Sequence, residues 1–282
     1  MNREQKNKLI SLIEKREALR PLSRAKRLLS DPMRALPFYV LAAISHAKPF
    51  KKTFPLPWND KMTCYLPEGN TFLYYGYCEA NLTNFLLRYL KPGSTCIDIG
   101  AHVGFYSMLM ARIAGGDGST SGTSAGSVHS FEPTPWTFGL LKANTDRLNG
   151  ETAPITINNS AISDSAGTLE FIDYGPGYGA FNTSDIHGAP ALHIKGTHVS
   201  VPAMTLDAYC TEKNLKPDFV KIDAEGADFL QRLALDDADL VIDAVDDEKE
   251  ALLRIAGEGD IPHGAILLGL GGIDLFLDEL AL

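Results

Sequence analysis

The chain of 282 residues is long enough for one sizeable α/β domain with appendages, or for two small domains. Its 45% hydrophobic and 22% charged content is that of a globular protein with a core to bury, which excludes disorder as its general state. The net charge of −9 is unevenly held: residues 1–52 carry 13 of the 26 Lys and Arg but only Glu4, Glu14, Glu17 and Asp31 as acids, so this segment is about +9 and the remainder about −18.

An acidic body argues against nucleic acid as a partner, because neutralising phosphates needs a basic face on the folded domain. The basic arm can still touch an anionic membrane surface or an acidic protein. Residues 1–30 read as one or two amphipathic helices, with Leu9, Ile10, Leu12 and Ile13 clustered and Leu28 and Leu29 later. Residues 1–34 are too polar for a secretory signal. The apolar run "LPFYVLAAIS", residues 36–45, is half the roughly twenty residues that a bilayer requires, so packing on the body is expected ahead of an interfacial position.

Residues 53–77 hold prolines and aromatic runs, "FPLPW" and "TFLYYGY", which predict short strands and turns forming a lid or antechamber. Regular alternation then begins. A helix ends at Lys91-Pro92-Gly93, a strand runs from Thr95 to Ile99, and a helix follows from Gly104 to about Ala114. The Gly/Ser/Thr-rich stretch from Gly115 to Ser127 reads as a surface loop. A strand at Val128 to Phe131, a helix from Pro135 to about Leu148 and a strand in "PITINNSAI" come next. Residues 167–173 and 197–206 alternate like antiparallel strands around a long loop, and "PDFVKIDAEG" returns to a central strand. "ADLVIDAV" predicts a fifth strand, Glu248 to Ala256 a helix, and "GAILLGLGGIDLFLDEL" a closing hairpin across Gly271-Gly272. The fold class is therefore α/β, a doubly wound, mostly parallel sheet with an N-terminal helical arm over residues 1–52 and an inserted β-hairpin at about 167–206.

Cys64, Cys78, Cys96 and Cys210 form no CxxC pair, which suggests neither a zinc site nor a disulfide framework and fits a reducing cytoplasm, with peripheral contact at the membrane surface left open for the arm. His187, His193 and His198, with Asp185, fit no standard metal spacing, so no metal site is expected.

In an open parallel sheet, ligands bind beyond the carboxyl ends of the strands. The turn "DIGAHVG" follows the first strand, and a dinucleotide fingerprint would need glycine at positions 100, 102 and 105; this chain has Gly100, His102 and Phe105. Asp98 with Gly100 and Gly104 suits a ligand bearing an ammonium or sulfonium instead. Glu132 ends the second strand, where a carboxylate can accept the hydroxyls of an unphosphorylated ribose. In "VKIDAEG", alternation puts Lys221, Asp223 and Glu225 on one side, with both acids at the ligand-bearing end. Acids there can orient a sulfonium, deprotonate an acceptor hydroxyl or hold a divalent cation; alternatively one merely pairs with Lys221 and the other caps a helix. In the long insert, Tyr178, Phe181 and Asn182 are candidate acceptor-facing lid residues. Tyr75, Tyr77 and Glu79 are candidates for a pocket wall, with core packing equally open for the tyrosines.

"KPGSTCIDIGAHVGFYS", "HSFEPTPWTFGLLKANT", "NNSAISDSAGTLEF", "TLDAYC" and "DFVKIDAEGADFL", in that order, resemble the FkbM family of S-adenosylmethionine-dependent methyltransferases over about residues 72–230. The resemblance implies a seven-stranded methyltransferase sheet over residues 53–282 and methylation of hydroxyl oxygens on sugars, glycans or glycosylated metabolites. It implies that Asp98 and Gly100 lie against the methionyl part of S-adenosylmethionine, that Glu132 holds the ribose, and that Asn159 to Ala161 border the adenine. The family usually has Asn where His102 stands. A noncatalytic partner-binding module and a nicotinamide-dependent oxidoreductase are the competing readings.

Overall fold

The computed structural model describes residues 1–116, 126–148, 152–184 and 194–223, together with the backbone of three strands at 239–244, 250–256 and 264–269. The arm forms three helices, α1 (Arg3–Glu17), α2 (Arg24–Ser30) and α3 (Pro32–Ala47). Asn2 and Gln5 close a capping box that starts α1, each satisfying an amide of the other. Leu9 and Ile13 are buried in the same apolar cluster as the body of the protein. Cations of the arm cap carbonyls of that body: Lys6 donates to Leu90 O at 2.6 Å, Arg34 to Tyr74 O at 3.1 Å, and Arg16 to Tyr75 O.

A hairpin of β1 (Phe50–Pro55) and β2 (Lys61–Leu66) follows, in agreement with the short strands expected there, but "TFLYYGY" begins in a short helix, α4 (Asn70–Tyr74), and not in a strand. Asn144, on a later helix, ties the hairpin down by accepting from Thr63 N at 2.8 Å and donating to Thr63 O at 2.9 Å.

The alternating core comprises α5 (Ala80–Tyr89), β3 (Thr95–Ile99), α6 (Phe105–Ala114), β4 (Ser127–Phe131), α7 (Pro135–Thr145) and β5 (Ile155–Asn158). Then come β6 (Ala161–Ile162), β7 (Gly167–Asp173), β8 (Thr197–Met204), α8 (Leu206–Lys213) and β9 (Phe219–Ile222). Strands β5, β4, β3 and β9 pair in that order, all parallel. The chain runs outward from β3 to β4 and β5, then returns to the other side of β3 as β9. The gap between β3 and β9 is thus a point where strand order reverses.

Strand alternation gives this sheet two faces. Cys96, Val128 and Phe219 face the cluster that contains α5 and α6, while Ile97, Ile99, Phe131, Val220 and Ile222 face Tyr209 of α8. Nearly every side chain of α6 is buried, as expected of a helix sealed between the sheet and α5. The inserted strands β7 and β8 pair antiparallel as predicted, with β6 beside β8 in a separate small sheet.

Beyond β9 the sheet continues with β12 (Gly264–Gly269) parallel to β9, then β11 (Glu250–Ala256) and β10 (Asp239–Ala244) antiparallel. The helix expected over Glu248 to Ala256 is a strand: hydrogen bonding to a neighbour on each side overrides the helix-favouring composition of "EKEALLRIA". Of the predicted loop from Gly115 to Ser127, residues 117–125 lie outside the described residues, as does the turn at Gly271-Gly272, while Ser127 already belongs to β4. Among the described residues, no helix is long and apolar enough to cross a membrane.

Candidate functional site

The carboxyl ends of β3, β4, β5 and β9 are laced together. Gly100 N and Ala101 N both donate to Phe131 O, Glu132 N donates to Asn158 O at 3.1 Å, and Asp223 N to Ile99 O at 3.0 Å. These bonds bring Asp98, Gly100, Glu132, Lys221 and Asp223 to one end of the sheet.

Gly100 sits at φ +72°, and a Cβ there would lie 2.0 Å from Asp223 O. Gly100→Ala is therefore expected to lower stability by about 1–3 kcal/mol through strain and displacement of β9, read as a fall in the urea midpoint. His102 is also left-handed, at φ +51°. His, like Asn and Asp, enters this region more readily than most side chains.

The His102 side chain finds a partner that the sequence did not suggest: its Nε2 forms an ion pair with the buried carboxylate of Glu68, from the segment after β2. Burial disfavours the imidazolium, but Glu68, then Glu132 and Asp223, outweigh it and raise the His102 pKa to about 9. A raised basic group stabilises most in its protonated form. The contribution should be complete below about pH 6.5, the ordinary histidine value, and vanish as the pH rises through about 9. Urea titrations across that window should show the loss, and His102→Asn should flatten it.

Glu132 is buried and saturated on one oxygen. Oε1 accepts from Thr134 N at 3.1 Å and Thr134 Oγ1 at 2.6 Å, while Oε2 accepts from His102 N at 2.9 Å. A carboxylate offers about four acceptor positions, so one on Oε2 is left for a ligand hydroxyl. Burial pushes its carboxyl upward, opposed by the bonds from Thr134 and the nearness of His102.

Asp98 is fully buried, with Oδ2 accepting from Ser107 Oγ at 2.6 Å and Oδ1 from Lys221 Nζ at 3.2 Å. Lys221, itself 2% exposed, also reaches Gly100 O at 3.2 Å and pairs with Asp223 at 3.4 Å, whose side chain is 40% exposed. Alternation had put Lys221 and Asp223 on one side, and they meet there. Burial opposes the ammonium, yet Asp98, Asp223 and Glu79 hold its pKa above the ordinary lysine value. Lys221, a predicted catalytic residue, is thus held as an ammonium among Asp98, Asp223 and Gly100 O.

Glu79, at the start of α5, accepts from Tyr106 Oη at 2.6 Å, and burial with the nearby Asp223 raises its pKa. Asp98, Asp223, Glu79, Glu132 and Glu68 thus share this end of the sheet with two cations, Lys221 and His102, a surplus of acids that favours a cationic ligand.

Asn159 turns its amide back to Glu132 O and Pro133 O at 2.9 and 2.8 Å, so its nitrogen braces the end of β4. Ala161 is 5% exposed and packs with Val201 and Ala203 in the small sheet. Between them Ser160 is 4% exposed and its hydroxyl has no partner among the described residues.

The insert closes over this end. Ala180 N donates to Glu68 Oε1 at 3.0 Å, Asn182 Nδ2 to Thr134 Oγ1 at 3.0 Å, and Phe181 is buried. Tyr75 and Tyr77 belong to the core, where Tyr77 Oη donates to Glu17 at 2.7 Å. His198 is exposed on β8. Glu225, Asp185, His187 and His193 lie outside the described residues, and among those described no cluster could hold a metal ion. Glu68 and Thr134 are the site residues that the sequence did not single out, whereas Glu79, a candidate for the pocket wall, lies near Asp223 and Lys221. For Thr134 a signal exists, a hydroxyl two residues after a strand-end acid.

Residues 98–241, about half of the chain, match the family model described as "Methyltransferase FkbM domain". No curated protein matches the chain. Among solved structures, the chain is similar to the crystal structure of methyltransferase FkbM from Methylobacillus flagellatus KT, at 13% identity and a TM-score of 0.31. That match covers 57% of this chain, which spans only 38% of the length of the other.

Proposed function

The chain belongs to the FkbM methyltransferase family, and on that footing we propose that it transfers the methyl group of S-adenosylmethionine to a hydroxyl oxygen of a sugar, glycan or glycosylated metabolite. The observation that carries this reading is the pairing of two unlike demands at one end of the sheet. Asp98, Asp223, Glu79, Glu132 and Glu68 outnumber Lys221 and His102 there, and Glu132 keeps an acceptor position open at the end of β4. A ligand with an ammonium, a sulfonium and an unphosphorylated ribose answers both. The buried, unpartnered hydroxyl of Ser160 adds a polar atom beside the expected adenine border.

When bound, the cofactor supplies an electrophilic methyl group on a positively charged sulfur. The remaining work falls to the chain. Lys221 holds Asp98 beneath the turn and steadies Asp223. Asp223, the most exposed acid of the cluster, orients the acceptor hydroxyl and receives its proton on a carboxylate oxygen. Alignment of the acceptor oxygen provides much of the acceleration, and residues 178–182 exclude water over the Glu132 end. Opening of that loop admits ligands. In this reading, β5, β4, β3 and β9 are the cofactor-binding half of a seven-stranded methyltransferase sheet.

Incubation with methyl-labelled S-adenosylmethionine and a panel of sugars and glycosides tests the proposal. Label should appear on a hydroxyl oxygen of one acceptor class. Cofactor binding without transfer to any hydroxyl acceptor in a broad panel would overturn the catalytic reading and leave a noncatalytic module.

A further inference from the structure

The outward face of α3 is apolar from end to end. Met33, Leu36, Val40 and Ile44 are 86%, 58%, 50% and 53% exposed, and their spacing of three and four residues sets them in one stripe. Pro37, Ala43 and Ala47 are exposed along the same stripe, and Leu29, 83% exposed, extends it from α2. The opposite face, with Ala35, Phe38 and Ser45, is buried on the body, where Phe38 meets the Tyr74 ring edge-on at 5.0 Å. The helix is thus already anchored by one side. A surface helix ordinarily turns polar residues to water, so a contiguous apolar stripe on the other side, about 17 Å long from Met33 to Ile44, marks a binding surface.

Charge indicates what covers it. Helix α3 contains no acidic residue. Asp31, just before it, is paired with Arg34 at 3.5 Å. Lys26, Lys48 and Lys51 are exposed and have no partner side chain among the described residues. A second copy of the chain docked symmetrically on this face would bring like ammonium groups together. An anionic bilayer would pair with them while its acyl boundary takes the apolar stripe.

We propose that α3, with the end of α2, is a membrane-docking surface that lies in the interface of an anionic bilayer. Met33, Leu36, Val40 and Ile44 enter the acyl boundary, and Lys26, Lys48 and Lys51 meet lipid phosphates. The inference does not rest on methyl transfer. It does place the bilayer beside the loop over the candidate site, since Pro49, just past α3, lies 2.9 Å from where a Cβ at Gly177 would stand.

Co-sedimentation of the full chain with vesicles tests this, using phosphatidylcholine alone and phosphatidylcholine with about one-third phosphatidylserine. Binding to the anionic vesicles should exceed binding to the neutral ones by at least about tenfold and weaken in high salt. Met33→Glu combined with Val40→Glu should reduce binding to anionic vesicles by about tenfold or more. Both side chains are exposed, so the melting temperature should not change. Weak association with both vesicle types, or anionic binding that survives the double substitution, would overturn the proposal. So would a doubled mass in solution that the same substitutions return to a single chain, because a second copy would then cover the stripe.

Discussion

Replacing Lys221 with methionine is expected to destabilise the fold by about 3–5 kcal/mol, because it strands the buried Asp98 carboxylate without its cation. Lys221 and Asp98 have side chains 2% and 0% exposed, so water cannot substitute for the lost partner. Ser107 would still donate to Oδ2, but a single hydroxyl does not neutralise a charge. The ammonium also bonds Gly100 O, so its loss removes one of the ties between the glycine turn and β9. Urea unfolding measures the deficit. The double variant Asp98→Asn, Lys221→Met should recover much of it, because a neutral amide no longer demands a counter-ion. A cost under about 1 kcal/mol for the single change would show that the pair does not support the turn.

Substituting Glu132 by glutamine should weaken binding of S-adenosylhomocysteine roughly 10- to 100-fold, the range expected for losing a hydrogen bond to a charged acceptor. The carboxylate is an acceptor only, and three protein donors converge on it, His102 N, Thr134 N and Thr134 Oγ1. A glutamine amide must point its NH2 group at one of those donors, so the turn and the strand end are forced apart. Titration calorimetry reads the affinity, and circular dichroism shows whether the fold survives. Unchanged affinity in the folded variant would remove Glu132 from the cofactor site.

The central part of the fold was legible because its signals are local. Pro92-Gly93 ends one helix, the five residues Thr95–Ile99 form the strand read from their apolar run, and alternation in "VKID" puts Lys221 and Asp223 on the side where they pair. Glu132 was legible from its place at a strand end, about thirty residues beyond the glycine turn. The Glu68–His102 pair was not, because it joins residues far apart in sequence and Glu68 sits in an apolar, proline-containing stretch. Strand β11 escaped for the opposite reason, since its local composition favours a helix and only its two neighbours make it a strand. "LPFYVLAAIS" is apolar all round, so the sequence supported packing on the body without disclosing that half of the helix would remain uncovered. The arm's charge likewise did not disclose that Lys6, Arg16 and Arg34 spend theirs on backbone carbonyls of the body.

The site is also more enclosed than its motifs suggested. Asp98 is engaged on both oxygens by Ser107 and Lys221, so the exposed Asp223 becomes the acid best placed to meet a ligand. Asn182 and Ala180 fasten the insert over Thr134 and Glu68, the partners of Glu132 and His102.

Calorimetric titration of the full chain with S-adenosylmethionine and, separately, with NAD tests the account most directly. Saturable one-site binding of S-adenosylmethionine, weakened by Glu132→Gln, with no binding of NAD, is the expected result. A folded chain that binds NAD and ignores S-adenosylmethionine would contradict it.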